Sequence, residues 1–135
     1  MKYLAIDYGT KTTGLAVCDP TETIVSPLTA LPTSEILLEK IARIVKKEAV
    51  EAIVMGLPLN MDGSAGTQAQ IVQRLADKLK KMVTVPVYFQ DERLSSFAAE
   101  EKLVLRDLTR KKRKARIDAL AAAEILQSFL DSKRN

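Results

Sequence analysis

Apolar residues follow two rhythms along this chain. Near the start they run almost unbroken: Tyr3-Leu4-Ala5-Ile6, and then Gly14-Leu15-Ala16-Val17-Cys18, which ends at the turn signal Asp19-Pro20. Short runs of this kind predict β-strands. A third strand is expected over residues 24–28, and Pro27 makes it an edge or irregular strand because proline donates no ladder hydrogen bond. The three lie close enough in sequence to form an antiparallel meander. The rhythm then changes. Leu37, Ile41, Ile44 and Val45 recur at helical spacing behind Thr33 or Ser34, either of which is a suitable cap. Ala52-Ile53-Val54-Met55, stopping at Gly56-Leu57-Pro58, reads as a buried central strand. Thr67-Gln68-Ala69-Gln70 fits a capping box, with Ile71, Leu75 and Leu79 continuing on one helical face.

A further strand is expected over residues 85–90, after which Ser95 or Ser96 starts a helix carrying Phe97 and Leu103. A nearly apolar helix over residues 117–130 closes the pattern. The order β-β-β-α-β-α-β-α predicts a mixed five-stranded sheet with helices on both faces, a three-layer α/β sandwich. Right-handed crossovers would set strands four and five parallel to the first. Their C-terminal ends, the edge at which open α/β sheets bind ligands, then carry Asp7, Gly56 and Glu92.

Composition narrows the chemistry. The 135 residues, 47% of them apolar, suit one domain spanning 1–135 with a substantial core. No apolar run approaches the roughly 20 residues of a membrane span, and Met1 leads into a strand without a signal-like segment, so a cytoplasmic protein with no membrane partner is expected. Cys18 is the sole cysteine, which excludes an internal disulfide. Histidine is absent, removing the commonest general base and zinc ligand. Catalysis would have to use carboxylates, hydroxyls, lysine or bound metal.

The net charge of +4 is concentrated. Arg110-Lys111-Lys112-Arg113-Lys114-Ala115-Arg116 holds six cations in seven residues, and the remainder of the chain has a net charge of −2. Such a run is either a solvated loop or a polyanion-binding element. It ends two residues before Asp118. Counting along the last helix puts Asp118, Ala122, Ile125 and Phe129 on one face, so that face should pack on the sheet and turn Asp118 inward. Helix capping would by itself favour an aspartate there. The second reading is that Asp7, Glu92 and Asp118 converge from separate elements as an all-oxygen site for a hard divalent cation.

Asp7-Tyr8-Gly9-Thr10-Lys11-Thr12-Thr13-Gly14, Gly56-Leu57-Pro58-Leu59-Asn60-Met61-Asp62-Gly63-Ser64, Asp91-Glu92-Arg93-Leu94-Ser95-Ser96 and the basic run leading to Asp118 together resemble the YqgF/RuvX family. These RNase H-like proteins are described as Holliday junction resolvases or as nucleases maturing the 5′ end of small-subunit ribosomal RNA precursor. The resemblance implies an RNase H-like domain and a catalytic, metal-binding triad at Asp7, Glu92 and Asp118, using Mg²⁺ or Mn²⁺. Asp91 adjoins Glu92, but successive strand residues point to opposite faces, so one of the two is expected in the site. Gly9, Thr10 and Gly56 look like phosphate or close-approach positions. Lys11, Asn60, Arg93, Lys111, Lys112, Arg113, Lys114 and Arg116 would contact nucleic acid, either structured RNA or branched DNA. Asp62-Gly63 is in the first place a turn signal. Where family members commonly carry a basic and then an aliphatic residue, this chain has Thr12-Thr13. The reading is thus a metal-dependent nuclease in 5′-end maturation of pre-16S rRNA. Junction resolution and non-catalytic nucleic-acid binding are its alternatives, with a monomer or weak homodimer as the assembly.

Overall fold

The computed structural model describes residues 1–92 and 110–134, apart from the side chains of residues 110 and 111. Five strands form one sheet: β1 (Tyr3–Asp7), β2 (Thr12–Cys18), β3 (Val25–Pro32), β4 (Ala52–Leu57) and β5 (Val87–Asp91), in the spatial order β3-β2-β1-β4-β5. The first three make the expected antiparallel meander, and β4 and β5 run parallel to β1. β3 is an edge strand, as its prolines Pro27 and Pro32 require, and is longer than the sequence indicated. The helices are α1 (Leu37–Lys47), α2 (Thr67–Lys80) and α3 (Arg110–Arg134). Among the described residues no helix is long and apolar enough to cross a membrane.

Strand alternation divides the sheet into two unlike faces. One presents Leu4, Ile6, Leu15, Ile53 and Met55 to α1 and α2, where Leu37, Ile41, Val72 and Leu79 complete a core of large side chains. The other presents Ala5, Ala16, Ala52 and Val54, small enough for α3 to settle closely through Ala122, Ile125, Leu126 and Leu130. Asp7, two residues along β1 from Ala5, belongs to this second face. Gly14 makes the approach of α3 possible: a Cβ there would lie 2.0 Å from the backbone oxygen of Asp118.

Several local expectations need correction. α1 has no side-chain cap, because the Thr33 hydroxyl instead donates to the Gly9 carbonyl (2.7 Å) and pairs with the buried Thr13 hydroxyl (2.8 Å). α2 begins at Thr67 behind Gly66, with no side-chain cap, and its most buried positions are Ala69, Val72, Ala76 and Leu79 rather than Ile71 and Leu75. The basic run is helical: it forms the first two turns of α3. β5 begins at Val87, after Pro86, whose carbonyl accepts from Ile53 N (2.9 Å). The helix expected from Ser95 or Ser96 lies outside the described residues.

Candidate active site

Three elements deliver carboxylates to the α3 face of the sheet. Asp7 ends β1, Glu92 follows β5, and Asp118 lies in the third turn of α3. Glu92 is held in place by its own backbone, whose N–H donates to the Leu57 carbonyl at 3.1 Å. Its side chain then crosses Gly56. A Cβ at that glycine would sit 2.1 Å from Glu92 Oε1 and 2.6 Å from Ile125 Cδ1, so the glycine is the space that the carboxyl occupies. From the sequence, Gly56 looks like a phosphate or close-approach position; here the space over it is taken by the protein's own Glu92 and Ile125. Gly9 serves the β1–β2 turn, where a Cβ would meet the Thr12 carbonyl at 2.4 Å.

Asp7 and Glu92 are hydrogen-bonded to one another, and both are partly buried. Burial, the hydrogen bond to Asp7 and the charges of Asp7 and Asp91 together push the Glu92 carboxyl up to about 8. Glu92 therefore holds its proton at neutral pH and donates it to the Asp7 carboxylate. Burial also raises Asp7; the Glu92 hydrogen bond opposes this, the negative charge of Asp118 adds to it, and the Lys114 ammonium offsets part. Like charges brought together away from water retain a proton unless a cation replaces it.

Asp118 is bound differently. The Thr12 hydroxyl donates to its Oδ2, and Lys114 Nζ lies 3.6 Å from Oδ1, one helical turn earlier. Among the described residues no three acidic or cysteine side chains are gathered closely enough to enclose an ion. Asp7 and Glu92 are in contact, whereas Asp118 reaches Asp7 through its charge. The donor set is nevertheless chemically suited to a hard divalent cation, being all oxygen and carrying a proton that such an ion would displace.

The other candidates fall around this cluster in varying ways. Thr10 and Lys11 are exposed on the β1–β2 turn beside Asp7. Asn60 is exposed in the β4–α2 loop, but its side chain builds that loop by donating to Ser64 Oγ (3.0 Å), while Asp62 accepts from Ser64 and Gly63 N donates to the Asn60 carbonyl. Lys112, Arg113, Lys114 and Arg116 are exposed on the first turns of α3. Arg93 and the Lys111 side chain lie outside the described residues. Two residues escaped the sequence reading: Thr12, which supports Asp118, and Gly14, which admits its backbone. Thr12 had a visible signal, since it stands where a basic residue was expected.

The family profile described as "RuvX: Holliday junction resolvase" matches residues 1–132. A protein of Roseiflexus sp. (strain RS-1) called "Putative pre-16S rRNA nuclease" is 42% identical over 136 residues, covering 98% of this chain and 96% of its own. A relative of the same name from Caldanaerobacter subterraneus subsp. tengcongensis is 44% identical over 138 residues, covering 100% and 99%. Among solved structures, RuvC of T. thermophilus in complex with a Holliday junction substrate superposes with a TM-score of 0.60 at 14% identity, covering 100% of this chain and 96% of that one. The Fowlpox virus resolvase complex with junction DNA gives 0.61 at 10% identity, with full coverage of both. These likenesses show the fold, which is the RNase H-like one.

Proposed function

We propose, from the premise that this chain belongs to the RuvX Holliday junction resolvase family, that it is a nuclease whose single domain hydrolyses phosphodiesters at Asp7, Glu92 and Asp118 with Mg²⁺ or Mn²⁺, in the cytoplasm, and that its substrate is the 5′ leader of pre-16S rRNA. The observation that carries this reading is the hydrogen-bonded Asp7–Glu92 carboxyl pair on the α3 face, with Asp118, held by Thr12, close enough for its charge to act on it. The relatives' names support pre-16S rRNA as the substrate.

The chain's own residues define the work at this site. Asp7 and Glu92 would release their shared proton and offer oxygens to the cation, and Asp118, oriented by Thr12, would complete the set. When bound, Mg²⁺ or Mn²⁺ supplies activation of water and neutralisation of the charge that develops on phosphate and leaving oxygen. Exposed Lys112, Arg113, Lys114 and Arg116 would hold the polyanion by its backbone, without reading sequence. Their location supports this. α3 has no acidic residue in its first turn, so cations crowd the positive end of the helix dipole, an arrangement that bound phosphate relieves.

The family's description favours a second reading, cleavage of four-way DNA junctions. Matched panels of pre-16S rRNA leader and four-way junctions, each with Mg²⁺ and with Mn²⁺, distinguish the two. Asp7→Asn should lower cleavage by at least ~100-fold without unfolding the protein. Wild-type rates in that variant would end the proposal.

A further inference from the structure

Beside the acidic cluster, α3 and the edge strand β3 enclose an open cleft of about 330 Å³ that the proposed chemistry does not use. We infer that this cleft receives one unpaired nucleotide adjacent to the bond that is cut, so that the protein acts on strands that are single or locally opened. The inference deepens the nuclease reading and rests on it.

Position is the first argument. In the sheet register Asp7 pairs with Gly14, and Gly14 pairs with Ala30, a residue of the cleft. Asp7 and Ala30 are thus two strand spacings apart, ~10 Å across the sheet. The backbone of Asp118 lies over the glycine between them, and the next residue, Ala119, lines the cleft. α3 thus stands between the carboxylates and the cleft, and a strand held at the carboxylates would place its neighbouring nucleotide there by passing around the first turns of the helix, along Lys112 and Arg116.

Size and chemistry are the second. The floor is apolar, formed by Pro27 and Ala30 of β3 with Ala115 and Ala119 of α3. The alanines stand four residues apart, so the helix turns only methyl groups toward β3 and the space stays open. Lys112 and Arg116 form the lip, also four residues apart, ~6 Å along the helix axis. Both are exposed, and Arg116 makes no ion pair among the described residues. Apolar walls under a doubly cationic rim complement a nucleoside with its flanking phosphates. The volume lies near the lower end for small-ligand pockets. A duplex keeps its bases paired and stacked and has no base free to enter.

The test uses one fluorescein-labelled oligoribonucleotide, single-stranded and annealed to its complement, titrated by anisotropy without divalent metal. The wild type should bind the single strand about tenfold tighter than the duplex. Ala115→Leu, which fills the cleft from the helix surface, should remove that preference while leaving duplex affinity unchanged. Ala30→Leu, on the strand position that pairs with Gly14 and so faces α3, fills it from the opposite wall, and thermal melts identify any variant that fails to fold. An absent preference, or one that survives both fillings, overturns the inference and leaves Mn²⁺-dependent cleavage to decide the nuclease reading. Binding of neither oligonucleotide overturns both. A cleft-dependent preference without cleavage keeps the cleft as a site for an unpaired nucleotide but overturns its place beside a cut bond, together with the nuclease reading.

Discussion

Replacing Glu92 by glutamine should stabilise this protein while disarming its site. In the fold the Glu92 carboxyl titrates at about 8, against 4.5 for a free glutamate. Between those values the folded chain holds one proton more than the unfolded chain, so wild-type stability falls as pH rises through the window and levels off above about 8. Each tenfold step in proton affinity corresponds to ~1.4 kcal/mol, which bounds the loss at about 5 kcal/mol. Glu92 keeps partial solvent contact, and screening reduces that to roughly 2 kcal/mol. Glutamine has no charge to lose, and its amide can donate to Asp7 as the protonated acid does. The variant should melt near the wild type at pH 5 and roughly 6 °C above it at pH 8.5, in EDTA. Mg²⁺ or Mn²⁺ should then raise the wild-type melting temperature at pH 8.5 more than that of the variant. A Glu92→Gln protein no more stable than wild type at pH 8.5 would refute the claim that repulsion and burial hold a proton between Asp7 and Glu92.

Gly14→Ala should cost about 3 kcal/mol in urea denaturation, since its methyl would meet the helix backbone at Asp118, which has no room to yield. Thr12→Val removes the hydroxyl donor to Asp118 and should lose about 1 kcal/mol, whereas Thr12→Ser should keep most of it. Ala49 ends α1 at φ 53°, with Val50 N bonded to the Val45 carbonyl and Ala49 N to the Lys46 carbonyl, an arrangement suited to glycine. Ala49→Gly should therefore raise stability by about 0.5–1 kcal/mol, measured as a higher urea midpoint with an unchanged slope.

The sheet was legible because strand periodicity is local: the runs at residues 3–6, 14–18 and 52–55 announce buried strands wherever they sit, and Pro27 marks an edge. Chain order and crossover handedness then placed Asp7 and Glu92 on one edge. Capping was legible only as capacity. Thr33 can cap a helix, but the Gly9 carbonyl and the Thr13 hydroxyl hold it elsewhere, a competition no local pattern reveals. The basic run shows a similar limit. Charge density does not distinguish a loop from a helix, and Ala122 through Leu130, buried on the sheet, are what anchor α3 and extend it back through the cations. Gly14 looked like an ordinary strand start because its reason lies more than a hundred residues away, at Asp118.

Among the described residues α3 alone covers the alanine-lined face of the sheet, and it follows all five strands in the sequence. During synthesis the meander and β4 emerge first, and through that interval nothing covers Ala5, Ala16 and Val54, and the Thr12 hydroxyl lacks the Asp118 carboxylate it donates to. A site that needs all three carboxylates would accordingly assemble only after α3 has left the ribosome and closed over the sheet.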